Sequence, residues 1–257
     1  MPPFTLPPHL FNPTLYTRLL TLWFSDLPLP ASAPTPPQLK KWFGTNPPFD
    51  TQCTSTALPA LQSLSPEKYP LPPFTTPEHD HQHYPQIAAP FLAQFTAAAK
   101  REEGGVLQNE EAALALMVLL DQMPRNIFRS SQSVIYTHYD RISRAVAHAI
   151  YASELDTCAR YRASPPYRMW FYLPLMHSEA LGEHDLMAGK LADMESGVVN
   201  DERGKEYVGN LVVYERKHRV ILERFGRYPH RNRVVGREGT EEEEGWLREG
   251  GDTFGAG

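Results

Sequence analysis

The sequence predicts an all-α fold of about six to eight helices, preceded by a proline-rich N-terminal region. From residue 90 onward, apolar residues recur at helical spacing. No stretch shows the period-two alternation of a half-buried strand. Twenty of the 25 prolines fall within residues 1–90, where they can neither donate to a ladder nor continue a helix.

Taken in order, Asn12-Pro13 pairs a good N-cap with proline at the first helical position and opens a helix carrying Leu15, Tyr16, Leu19, Leu20, Leu22 and Trp23. Segments 27–38 and 64–78 read as proline-rich linkers, with Trp42, Phe43 and Phe49 between them as docking residues. A helix is expected from Pro90 to Glu103, stopped by Gly104-Gly105. The next is capped by Asn109, carries Glu110 and Glu111 in its first turn and is apolar nearly all round to Leu120. Pro124 should end it near Asp121. Ile142, Ala145, Val146, Ala149 and Ile150 form one stripe. Ser164-Pro165 opens another helix, with Pro174 as an internal kink, and Leu186–Met194 is a shorter one. The stripe Tyr214, His218, Ile221, Leu222 and Phe225 closes the series at Gly226. Three parts of one domain follow: residues 1–89 with a single docking helix, a helical core at 90–237, and an acidic tail at 238–257.

At 257 residues the chain can bury one substantial core. A net charge of −5 gives no electrostatic case for nucleic acid. The longest apolar run, Ala112 to Leu120, falls well short of the ~20 residues that span a membrane. The N-terminus lacks the basic and apolar regions of a secretory signal. Two cysteines, Cys53 and Cys158, make neither a disulfide framework nor a zinc set. A cytoplasmic location is the expectation. Residues 214–237 hold eight Arg/Lys against two Glu, and residues 238–257 hold seven Asp/Glu against one Arg, so the two blocks can neutralise each other.

Chemistry concentrates in three polar signatures: Leu119 to Arg129 (LLDQMPRNIFR), Tyr172 to Glu179 (YLPLMHSE) and Glu223 to Asn232 (ERFGRYPHRN). A core does not need so many Arg, His, Asp and Asn, and buried charge is costly unless paired. They therefore form either interlocked helix-end networks or a ligand site. Asp121 and Arg125 are spaced to pair locally, and the arginine forks suit carboxylate or phosphate. His177 beside the Pro174 kink is a candidate for acid–base work, weighed against a satisfied buried histidine. The run His79-Asp80-His81-Gln82-His83 reads as solvated rather than as a metal site. Phosphate-binding glycine loops and nucleophile-elbow motifs are absent, and no cofactor is called for.

These signatures, with Trp42-Phe43, Pro48-Phe49-Asp50 and Gly236-Arg237, resemble a bacterial and fungal family catalogued as domain of unknown function 924. The likeness spans most of residues 15–247. It implies a tetratricopeptide-repeat-like helical array and no established reaction. The proline-rich insertions depart from the family pattern, as does Gly182-Glu183-His184-Asp185.

The leading expectation is a polar pocket for a small anionic ligand. Asp121, Arg125, Asn126, Arg227, Arg231 and Asn232 would bind it; His177, His230 and Glu179 are the catalytic candidates. Whether such a pocket only binds or also catalyses is left open by the sequence. The alternative is a non-enzymatic helical-repeat module for a peptide or protein partner.

Overall fold

The computed structural model describes residues 4–96 and 107–254. Among these there are twelve helices and no β-strand. The N-terminal half holds α1 (Pro13–Phe24), α2 (Pro36–Phe43), α3 (Pro47–Ser63), α4 (Pro77–Gln82), α5 (Tyr84–Ala88) and α6 (Ala93–Thr96). Then come α7 (109–127), α8 (132–152), α9 (Pro165–Met176), α10 (Leu181–Ser196), α11 (Glu202–Phe225) and α12 (Glu241–Arg248). Each of α7 and α8 runs through an internal π turn, Val118–Gln122 and Ile135–Tyr139 respectively.

All-α is therefore right, but six to eight helices is too few. The correction lies in the proline-rich region, where a single docking helix is expected. There proline repeatedly occupies the first helical position, where its missing N–H is harmless and its fixed φ is pre-organised. Asn12, Asn46 and Thr76 cap the following turn with side-chain oxygens. The helix expected over 90–103 is present only as α6 among the described residues, and its end lies outside them. Gln108, rather than Asn109, takes the cap position of α7. Leu186–Met194 proves to be the inner part of the longer α10.

The all-round apolar run from Ala112 to Leu120 is the centre of the molecule, at most 1% exposed throughout. Against α7 pack α1, α6, α8 and α9. Four aromatic rings join the N-terminal region to this core: Trp23 and Trp42 meet Trp170 edge-on at 5.1 and 4.9 Å, and Phe49 lies 5.6 Å from Trp23. The Trp42 indole donates to the Trp23 carbonyl at 2.9 Å. Phe43, expected to dock, is 59% exposed, although its ring stacks over Trp170. Tyr214, placed by spacing on the buried stripe of α11, is also exposed.

The helix expected to stop near Asp121 continues to Ile127. In an α-helix the Pro124 ring would clash with the carbonyl four residues earlier. The π turn inserts an extra residue, with Met123 N–H bonded to the Val118 carbonyl, and lets the chain stay helical through the proline. This local unwinding sits at the first polar signature.

Candidate functional site

On the π turn, Asp121 is almost fully buried. One carboxylate oxygen accepts from His177 Nδ1 at 3.0 Å and from Arg125 Nη2 at 3.4 Å; the other accepts from the Gln122 amide at 2.5 Å. Burial favours the neutral acid, but the charges and hydrogen bonds of His177, Arg125 and Gln122 outweigh it and hold the carboxyl below its usual range. Arg125 reaches in turn to Asp140 at 2.7 Å, so this guanidinium bridges two buried carboxylates.

His177 follows the last turn of α9, its amide closing on the Leu173 carbonyl. Burial, and then the Arg125 charge, push its imidazole below the ordinary histidine value. The ring is therefore neutral near pH 7. An ionised Asp121 can only accept, so the ring proton sits on Nδ1 and Nε2 carries the lone pair. The His177 side chain keeps 19% of its surface open and Arg125 22%. An ionised carboxylate orienting a neutral, partly open imidazole is an arrangement suited to a general base.

The third signature closes over this pair. Gly226 leaves α11 at φ +69, the left-handed conformation that ends the helix. Tyr228 then turns inward, its hydroxyl donating to the Met176 carbonyl at 2.9 Å and its amide to Glu179 at 2.9 Å. Glu179 is also gripped bidentately by Arg237, at 2.6 and 2.8 Å. Arg231 donates from Nη1 to the His177 carbonyl at 2.9 Å. Its guanidinium lies between the rings of Tyr136 and Tyr228, 4.4 and 4.5 Å from their centres. Although Arg231 is only 8% exposed, it has no carboxylate within 4 Å among the described residues, and its buried Nε has no hydrogen-bond partner.

The three signatures thus meet, but not with all the residues sequence reasoning assigned to one pocket. Asp121, Arg125, His177 and Arg231 come together. Arg227 instead chelates Glu243 of α12 at 2.6 and 2.8 Å, and Asn232 also donates to Glu243. Asn126 donates to Asp50, which Arg129 grips with two further bonds. His230 packs over Tyr228 at 5.6 Å, its Nδ1 buried without a partner, and burial lowers its pKa to about 4. Glu179 serves as an anchor for the third turn. Sequence reasoning missed Tyr136 and Asp140. The signal for Asp140 was the surplus of arginine over acid in the signatures, which requires a buried carboxylate from elsewhere.

Residues 19–251 match the family model described as bacterial protein of unknown function, DUF924, and the chain belongs to that family. A solved structure of a protein of unknown function from Agrobacterium tumefaciens is similar to it, at 25% identity and a TM-score of 0.57. That match covers 92% of this chain and 98% of the other. No curated protein matches the chain.

Proposed function

We propose that this member of the DUF924 family binds a small anionic ligand where its three signatures meet, and that the Asp121–His177 pair exchanges a proton with it. One observation carries the reading: Arg231 is a buried cation with an unfilled donor, bonded to the backbone carbonyl of His177, and no carboxylate of the described residues lies within 4 Å of it, Glu179 being paired with Arg237. Buried guanidinium groups are ordinarily matched by an acid, and a ligand carboxylate or phosphate would supply that match. Arg125, already bridging Asp121 and Asp140, orients the pair rather than holding the anion. Glu179 and Arg237 fix the turn that carries Arg231.

A thermal-shift screen of wild type against small carboxylates and phosphates tests this. A specific ligand at about 100 times its Kd adds about 2.7 kcal/mol of stability. The shift should vanish in folded Arg231→Gln and persist in Arg227→Gln, whose guanidinium serves α12. Silence across the panel, or an equal shift in Arg231→Gln, rejects the reading. The competing reading, a tetratricopeptide-like module for a peptide or protein partner, draws support from Val212, Val213 and Val220, exposed together on α11. It predicts a partner recovered by pull-down that a polar substitution of Val213 releases.

A further inference from the structure

The atoms of Arg231 that remain free narrow what it can hold. Its guanidinium lies between the Tyr136 and Tyr228 rings, and Nη1 donates to the His177 carbonyl at 2.9 Å. What remains is the Nε–Nη2 edge: Nε is buried without a partner, and no described group accepts from Nη2. Elsewhere in the molecule this same edge grips carboxylates. Arg129 holds Asp50 with it, Arg141 holds Asp80 and Arg227 holds Glu243. Rings against the guanidinium confine an incoming group to its plane. A planar carboxylate suits that edge, whereas a tetrahedral phosphate places oxygens above and below it.

Charge balance favours the same choice. Arg125 is offset by Asp121 and Asp140, and Arg237 by Glu179. Among these described groups Arg231 is the cation left without a carboxylate, so one negative charge matches it. A second would meet the carboxylates of Asp121, Asp140 and Glu179.

An anion alone does not complete the site. His177 Nδ1 is committed to Asp121, which leaves Nε2 as an acceptor to which no described group donates. Because Arg231 is bonded to the carbonyl of His177 itself, the guanidinium and Nε2 lie within the reach of a single residue. A ligand that spans them needs a donor close to its carboxylate, on the adjacent carbon or the next. Loss of water and the Arg125 charge, which keep this imidazole neutral, equally disfavour an ammonium beside Nε2. The donor is therefore a hydroxyl.

We propose, resting on the anion site at Arg231, that its ligand is a small 2- or 3-hydroxy monocarboxylate, its carboxylate on the Nε–Nη2 edge of Arg231 and its hydroxyl donating to His177 Nε2.

The test is isothermal titration calorimetry near neutral pH with 2-hydroxybutyrate, 3-hydroxybutyrate, butyrate, 2-aminobutyrate and inorganic phosphate. The better hydroxybutyrate should bind about fivefold more tightly than butyrate, and more tightly than phosphate or 2-aminobutyrate. Arg231→Gln should weaken it about tenfold or more. His177→Asn retains a donor for Asp121 but lacks Nε2, and in it the hydroxybutyrate should bind only as well as butyrate. Butyrate, 2-aminobutyrate or phosphate binding as tightly as the better hydroxybutyrate, with that binding lost in Arg231→Gln, overturns the hydroxy-acid assignment and leaves the anion site standing. A hydroxyl preference undiminished in folded His177→Asn does the same. Should His177→Asn fail to fold, the wild-type ranking alone decides. Binding of none of the five overturns the assignment, while equal binding in folded Arg231→Gln removes the anion site itself.

Discussion

Three histidines, the buried His218 and the half-buried His177 and His230, share one physical condition: loss of water around the ring is the leading cause that lowers each pKa, to about 3 in His218 and about 4 in His230. In the unfolded chain each titrates near ~6.5. Between that value and the folded one, the unfolded state binds more protons, so stability falls as pH falls through the window. Asp121 behaves as a depressed carboxylate: its contribution is present above about pH 4, its unfolded value, and is lost as pH drops through the lower folded value. The histidines therefore start the acid-side decline before the carboxylates join it. His230 isolates the effect, because its buried Nδ1 has no partner and its ring lies on Tyr228. His230→Phe keeps that stacking and removes the titration. Its urea midpoint should drop less than that of wild type between about pH 6.5 and pH 4.5; an equally steep fall would show that His230 is not held neutral in the fold.

Among the elements, sequence spacing made α7, α9 and α11 legible because each carries a long apolar face. It missed the helices α2 to α5 because proline was weighed as a breaker, although Asn46-Pro47 and Thr76-Pro77 repeat the signal read correctly at Asn12-Pro13; the linker read between Ser63 and Pro77 is irregular as expected. The π turn before Pro124 was not legible: proline announces a conflict, but whether the chain stops or unwinds depends on the packing around α7. Gly226 was legible, and a pair of glycine substitutions tests the reason. A Cβ added at Gly226 or at Gly209 meets nothing within 4 Å, so neither change causes a clash. At Gly226 the φ of +69 strains any side chain, and Gly226→Ala should cost about 1 kcal/mol. Gly209 lies in the α11 interior, where Gly209→Ala should stabilise by about 0.8 kcal/mol. Opposite shifts in chemical-denaturation midpoints are expected; shifts of the same sign would refute the backbone argument.

For the molecule as a whole, the opposed charge blocks at 214–237 and 238–257 meet as anticipated from composition, and this decides what the third signature does. Glu243, nearly fully buried, takes two bonds from Arg227, one from Asn232 and one from its own cap at Thr240; Arg224 pairs with Glu242 and Phe225 packs on Trp246. The Arg227 bonds lead in lowering the Glu243 carboxyl to about 2. Spacing alone could not reveal this, since Arg227 and Arg231 are one helical turn apart and chemically identical; only the position of α12 assigns one to the tail and leaves the other at His177. A double-mutant cycle makes the division measurable. Glu243→Ala strands a guanidinium and Arg227→Ala strands a buried carboxylate, so each single change should cost more stability than the second change adds in the double variant. The coupling is expected at about 2 kcal/mol by urea denaturation. Additivity within about 0.5 kcal/mol would mean that α12 is not clamped by this pair, and would return Arg227 to the set of donors open to a ligand.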